Sequence, residues 1–313
     1  MRCLLGFLSA LAMTSSVVAA PLLDGSLDAG YSLRSVQTVE TNFGDANPNS
    51  GSELDASYAQ VEGGTLYLML TGNLENNFNK LNVFIDSVAG GQNQLQNDTN
   101  NGGNNPTNDG WAGKYAGFMF DTGFAADYML IMRNGNFGGD RFDIDYAVIG
   151  GGAAAFEAAG NVFGGSLTGS NTNALPLNGI GVAFDRSNVA GVAGGTGAAN
   201  QAVAAAVTTG IELAIPLSAL GNPDPQDIKI VTMINSSNHD YLSNQFLGGL
   251  TPPQGNLGGD GSGGFNGTVG QLSLKDDRYA AGDQFFSVVP EPSTLALFAV
   301  AGFGLLIARL RRS

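Results

Sequence analysis

The one histidine of the chain, His239, stands in Asn238-His239-Asp240-Tyr241, and the one tryptophan, Trp111, is followed four residues later by Tyr115. A single imidazole cannot build a zinc site of the usual kind, and a Ser-His-Asp hydrolase would have to use His239. Trp111 and Tyr115 suit a different chemistry. Apolar faces of pyranose rings stack on aromatic planes while neighbouring Asp and Asn bind hydroxyls, so this pair is the candidate ligand-binding site; the competing role is a core anchor. Trp111 also closes a loop, 97–109, that is dense in side-chain oxygens. Calcium takes roughly six to eight oxygens from carboxylates, amides and carbonyls. Asp98 and Asp109, with Asn97, Asn104 and Asn108, are therefore the calcium ligands to test, against a merely solvated loop.

Three apolar runs end in Asp86, Asp121 and Asp185. Aspartate at a strand end initiates turns by accepting from nearby amides; the alternative is a shared metal site. Glutamate is scarce between 21 and 289, where Glu40, Glu53, Glu62, Glu75, Glu157 and Glu212 are all there are. Glycoside hydrolysis by paired carboxylates would draw on these, and Glu212, near Pro216, is the one to watch. Gly259-Asp260-Gly261-Ser262-Gly263-Gly264 has a superficial likeness to a serine-protease motif and to a dinucleotide loop. Gly261 separates Asp from Ser, and neither a strand before nor a helix after is evident, so the segment reads as a glycine-rich loop.

The elements that must position these residues are short, aromatic and β-branched runs between Gly/Asn turns. Strands are expected at 65–70, 81–86, 115–121, 127–132, 141–149, 181–185, 210–215, 228–234 and 285–289. Helical periodicity is nearly absent; 156–159 and 198–207 are the two stretches with room for a turn or two. Glycine supplies 47 of 313 residues and charged residues 13%, which favours many turns over long helices. At 43% hydrophobic residues the chain can still bury a core. The fold class is all-β, a single large β-sandwich of about 11–13 strands across 21–287. The stretch 91–110 is a long polar loop outside any core.

Residues 21–289 carry nine basic against 26 acidic side chains. Such a surface repels phosphate backbones, so nucleic acid is excluded as a partner. The first 20 residues have a basic start at Arg2, an apolar centre and small residues at the end, the layout of a signal peptide cleaved by signal peptidase after Ala19 or Ala20. Cys3 lies inside it, leaving the rest of the chain without a thiol for disulfides, metal ligation or catalysis. At the other end, 293–308 is an uncharged apolar run followed by Arg309, Arg311 and Arg312, read as a short transmembrane helix with its arginines in the cytoplasm. Pro290-Glu291-Pro292 before it holds the chain extended, as a protease requires.

The ordered set Pro290-Glu291-Pro292, apolar run and Arg309–Arg312, spanning 288–313, resembles the PEP-CTERM sorting signal. That resemblance implies recognition by a membrane-embedded exosortase, removal of the tail, and passage from an inner-membrane-anchored precursor to the cell envelope or extracellular matrix. A second resemblance is spread over 21–287. Leu23-Asp24-Gly25-Ser26-Leu27-Asp28, then Gly64–Leu68, Val83–Asp86 and Gly210–Gly221, are similar in order to the sandwich shared by family-nine carbohydrate-binding modules and DOMON domains. It implies sugar binding or, in some branches, haem, for which His239 would pair with Met132 or Met233. The paired-tryptophan clamp of the sugar-binding branch is missing here. The expected function is an exported, exosortase-processed matrix protein, structural or glycan-contacting, with exopolysaccharide as partner and no catalysis; the alternative is a secreted polysaccharide hydrolase.

Overall fold

The computed structural model describes residues 19–47, 50–97, 111–151, 155–160, 162–163, 170–174, 178–275 and 283–289. Two antiparallel sheets face each other. The first runs in the order β1 (Ser32–Val36), β2 (Glu53–Glu62), β3 (Thr65–Asn73), β10 (Gly210–Pro216), β9 (Gly181–Asp185), β8 (Ser170–Ala174). The second runs β12 (Leu242–Leu247), β11 (Lys229–Asn235), β4 (Lys80–Asp86), β5 (Tyr128–Asn136), β6 (Asp140–Val148), β7 (Phe156–Ala159), with β13 (Phe286–Ser287) also paired to β11. The all-β sandwich expected from the sequence is what forms.

Alternation puts one side chain in two into the layer between the sheets. Leu66, Leu68 and Leu70 of β3 meet Leu81, Val83 and Ile85 of β4, with Leu130, Met132, Phe142 and Ile144 alongside. The second sheet is also apolar on its outer face. There Phe84, Met129, Ile131, Val231, Met233 and Phe246 pack under a layer of irregular chain contributing Trp111, Phe118, Phe120, Leu257 and Leu272. This covering is why β4 reads as an almost unbroken apolar run: a strand buried on both faces loses the alternation of a half-exposed one.

Local corrections follow from the same layer. The run at 115–121 is not a strand. Trp111–Tyr115 forms a short helix, α1, and the segment after it crosses the sheet with isolated bridges from Met119 to Gln94 and Ser273. The stretch 156–159, read as a possible helical turn, is edge strand β7, paired with β6 from Ala147 to Ile144. Helix appears instead at α2 (Gln201–Ala204), capped by the Asn200 side chain. The polar stretch after 91 is partly tied down, with Gln92 bridged to Ala126 and Gln94 to Met119. Among the described residues no helix is long and apolar enough to cross a membrane; the run 293–308 lies outside them.

The sandwich has two unlike ends. At one, Lys80 of β4 pairs with Arg133 and Asn235, and the loops 236–241 and 137–139 cap the strands. At the other, Asp86 pairs with Lys229. Here β13 runs outward, Lys229 opposite Ser287, and the Val288 N–H donates to Ile228 O at 3.0 Å. Ala19 lies toward this second end too. Its carbonyl accepts from Gln60 Nε2, close to the β2–β3 turn, whose Gly64 carbonyl accepts from Leu217. The chain therefore enters and leaves the sandwich at one end.

Candidate functional site

Trp111, Tyr115 and His239 converge, but beneath the outer layer of the second sheet. Trp111 is 2% exposed and Tyr115 and His239 not at all. The Asn235 amide donates to Tyr115 Oη at 2.7 Å, and the His239 ring meets the Tyr115 ring edge-on at 5.7 Å. Neither Trp111 nor Tyr115 offers a face to solvent. Burial pushes the His239 imidazole well below its ordinary pKa, and the nearby Lys80, Arg133 and Lys114 charges push the same way, so it is neutral at pH 7. The charge beside it is balanced within the sheet, where Arg133 Nη1 lies 2.7 Å from Asp145 and its Nε 3.4 Å from Asp143. Haem, which the second resemblance carries with it, does not fit. A macrocycle needs accessible space beside the imidazole, and His239 has none; Met132 belongs to the inter-sheet core on the other face of the sheet.

The three strand-end aspartates do not meet. Asp86 ends β4 at the exit end and accepts from Ala125 N at 3.1 Å. Asp185 ends β9 at the opposite end and accepts from Ser187 N. Asp121 accepts from Thr122 N. Each serves its own turn. Asp98 and Asp109 fall outside the described residues, among which no cluster of three potential metal-ligating acids or histidines occurs.

Glu212 anchors the entering chain. Its carboxylate accepts from Tyr31 Oη at 2.6 Å and from the Asp24 and Gly25 amides at 2.9 Å each. Gly25 has φ +81°, and a Cβ there would lie 2.6 Å from Asp185 N. The Asp-Gly-Ser-Leu-Asp segment is thus a staple of the fold. A second pair was not singled out from the sequence. A bulge between Leu54 and Ala56 of β2 inserts Asp55 as an extra residue, and Glu53 and Asp55 are both fully buried. Asn188 Nδ2 donates to both carboxyls at 3.3 Å; Ala46 N donates to Glu53 and Val192 N to Asp55. Burial, then the neighbouring acid, pushes Glu53 far above the usual carboxylate range. Burial also raises Asp55, against the bonds it accepts. Both shifts run toward the protonated form, which favours a proton kept between the two carboxyls.

Two depressions open elsewhere. One of about 530 Å³ is lined by Thr38, Asn200, Gln201, Leu250 and Asp283, and one of about 330 Å³ by Tyr128, Tyr146, Glu157, Asn178 and Ser218. Among the described residues each has one carboxylate in its lining, Asp283 and Glu157 respectively, where a glycosidase needs two about 5–10 Å apart.

Aromatic surface is exposed at the end away from the chain exit. Phe43, Tyr241 and Phe265 form a column, with Phe43 and Tyr241 stacked at 6.2 Å and Tyr241 and Phe265 at 4.3 Å. Phe265 is 75% exposed. Its loop is the Gly259–Gly264 segment, and the fold makes it a hydrogen-bonded turn. Asp260 Oδ1 accepts from Ser262 N at 2.8 Å and Gly264 N at 3.0 Å, while Tyr241 Oη donates to Gly263 O at 3.0 Å.

Set against known proteins, residues 288–312 match the PEP-CTERM protein-sorting motif. The match begins at Val288, still hydrogen-bonded into the second sheet. It marks the chain as an exported protein processed by exosortase at the membrane. No curated protein and no solved structure matches. The likeness to family-nine and DOMON sandwiches therefore has no support from these comparisons.

Proposed function

We propose that this chain is an exported β-sandwich held first in the inner membrane by its 293–308 run, then cut by exosortase and delivered to the cell surface or extracellular matrix, where it contacts polysaccharide without catalysis. The observation that carries the reading is the sorting motif, matched from Val288 onward and following the last strand without a linker. An address read in the membrane must be displayed to its enzyme, and two prolines keep it from folding back into the sheet or running on as helix. The acidic, thiol-free body supports residence outside the cell and disfavours polyanions as ligands.

The test is replacement of Pro290, Glu291 and Pro292 together by alanine, followed by fractionation and immunoblotting. The variant is expected to stay at full length in the membrane fraction. Release at the normal size and amount would overturn the proposal.

A further inference from the structure

We propose that the Phe43–Tyr241–Phe265 column is a binding platform for a neutral polysaccharide, with Phe265 as the ring that stacks on a pyranose; this rests on the polysaccharide reading given above. Phe265 has one face on Tyr241 and is 75% exposed. Leaving a phenylalanine in water forgoes the favourable burial of its apolar surface, and this ring is not on a loose tip. Asp260 ties the turn from inside, Tyr241 Oη fastens it at Gly263, and Gly259 N donates to Gly264 O at 2.8 Å. A flat apolar face held in place before its partner arrives loses little entropy on binding, the condition for stacking on a sugar.

The column also points the right way. Tyr241 precedes Leu242, which pairs with Asn235 at the last residue of β11, whereas the chain leaves beside Lys229 at the first. Those two positions are about 20 Å apart along the strand. In a precursor tethered by its tail, Phe265 faces away from the bilayer, toward whatever lies outside. Asp240 and Asp260 flank the column, and the body carries 26 acidic against nine basic side chains. Both features repel anionic polymers and leave neutral ones as the ligand class.

The experiment is affinity electrophoresis of the full chain in mild detergent. Native gels contain dextran, galactomannan or hydroxyethyl cellulose as neutral polymers, or alginate as an anionic one. The wild-type chain is expected to be retarded by at least one neutral polymer. Phe265→Ala should weaken that retardation roughly five- to tenfold without lowering Tm, Phe265→Trp should keep it, and Phe137→Ala, an exposed ring outside the column, should leave it unchanged. Retardation of wild type with Phe265→Ala equally retarded would overturn the platform and leave the polysaccharide reading standing. Retardation by alginate alone, or equal losses from Phe265→Ala and Phe137→Ala, would overturn the assigned ligand and site. Retardation by no polymer would remove the polysaccharide reading as well.

Discussion

The amide of Val288 donates to the carbonyl of Ile228 at 3.0 Å, and Pro290 stands two residues further on. Domain and sorting signal therefore abut. An enzyme that cut before Phe286 would strip β13 from β11. The released protein is expected to end at or after Val289, as read by intact-mass spectrometry; a carboxy-terminus before Phe286 would contradict this. Phe286 itself is buried in the inter-sheet core. Phe286→Ala should cost about 3 kcal/mol in urea unfolding.

The Glu53–Asp55 pair makes stability fall as pH rises above neutrality. The folded pair keeps a proton that the unfolded chain, with ordinary carboxyls, has already lost, so unfolding releases a proton. The stabilisation is whole below the unfolded carboxylate pKa and is lost as pH climbs through the raised folded value. His239 works in the opposite sense at the acid side: its lowered pKa costs stability once pH drops below the ordinary imidazole range. Above neutrality only the pair of these two sites still titrates. Urea midpoints from pH 7 upward should decline in the wild type and stay flatter in Glu53→Gln; parallel declines would refute the shared proton.

The Tyr115 hydroxyl is expected to be structural. Tyr115→Phe leaves the buried Asn235 amide without its acceptor, at a cost of about 1–3 kcal/mol. Because Trp111 is the one tryptophan and is covered, its fluorescence should be shielded from acrylamide in the folded protein and exposed to it in urea. Ready quenching in the native state would mean that the covering layer is open.

The first sheet was legible wherever a strand carried its own pattern: 210–215 corresponds to β10 and 181–185 to β9. Legibility failed at β2, whose Glu-Leu-Asp-Ala-Ser start looks polar. Its acids are hidden by a bulge and by Asn188, more than 130 residues away in the chain. It failed at 115–121 for the opposite reason, since apolar aromatic spacing does not distinguish a strand from irregular chain lying on a sheet. Trp111, Tyr115 and His239 stand out in the sequence by residue type, yet residue type carries no information about which side of a covering layer a ring lies on, and all three are buried. Phe265 went unnoticed because one phenylalanine among glycines gives no periodicity, and its exposure is decided by Tyr241.

Ala19 and the departure point of β13 lie toward the same end of the sandwich, which has a mechanical consequence. A polypeptide hung from one bilayer by both its leader and its tail would ordinarily be a stretched bridge, with its middle under tension. Under the anchoring proposed above, with the leader expected before Ala19 still attached, both suspension points would lie below the same pole of the folded body, and the sandwich could close while hanging from both. Whichever tether were severed first, the other would go on holding the domain.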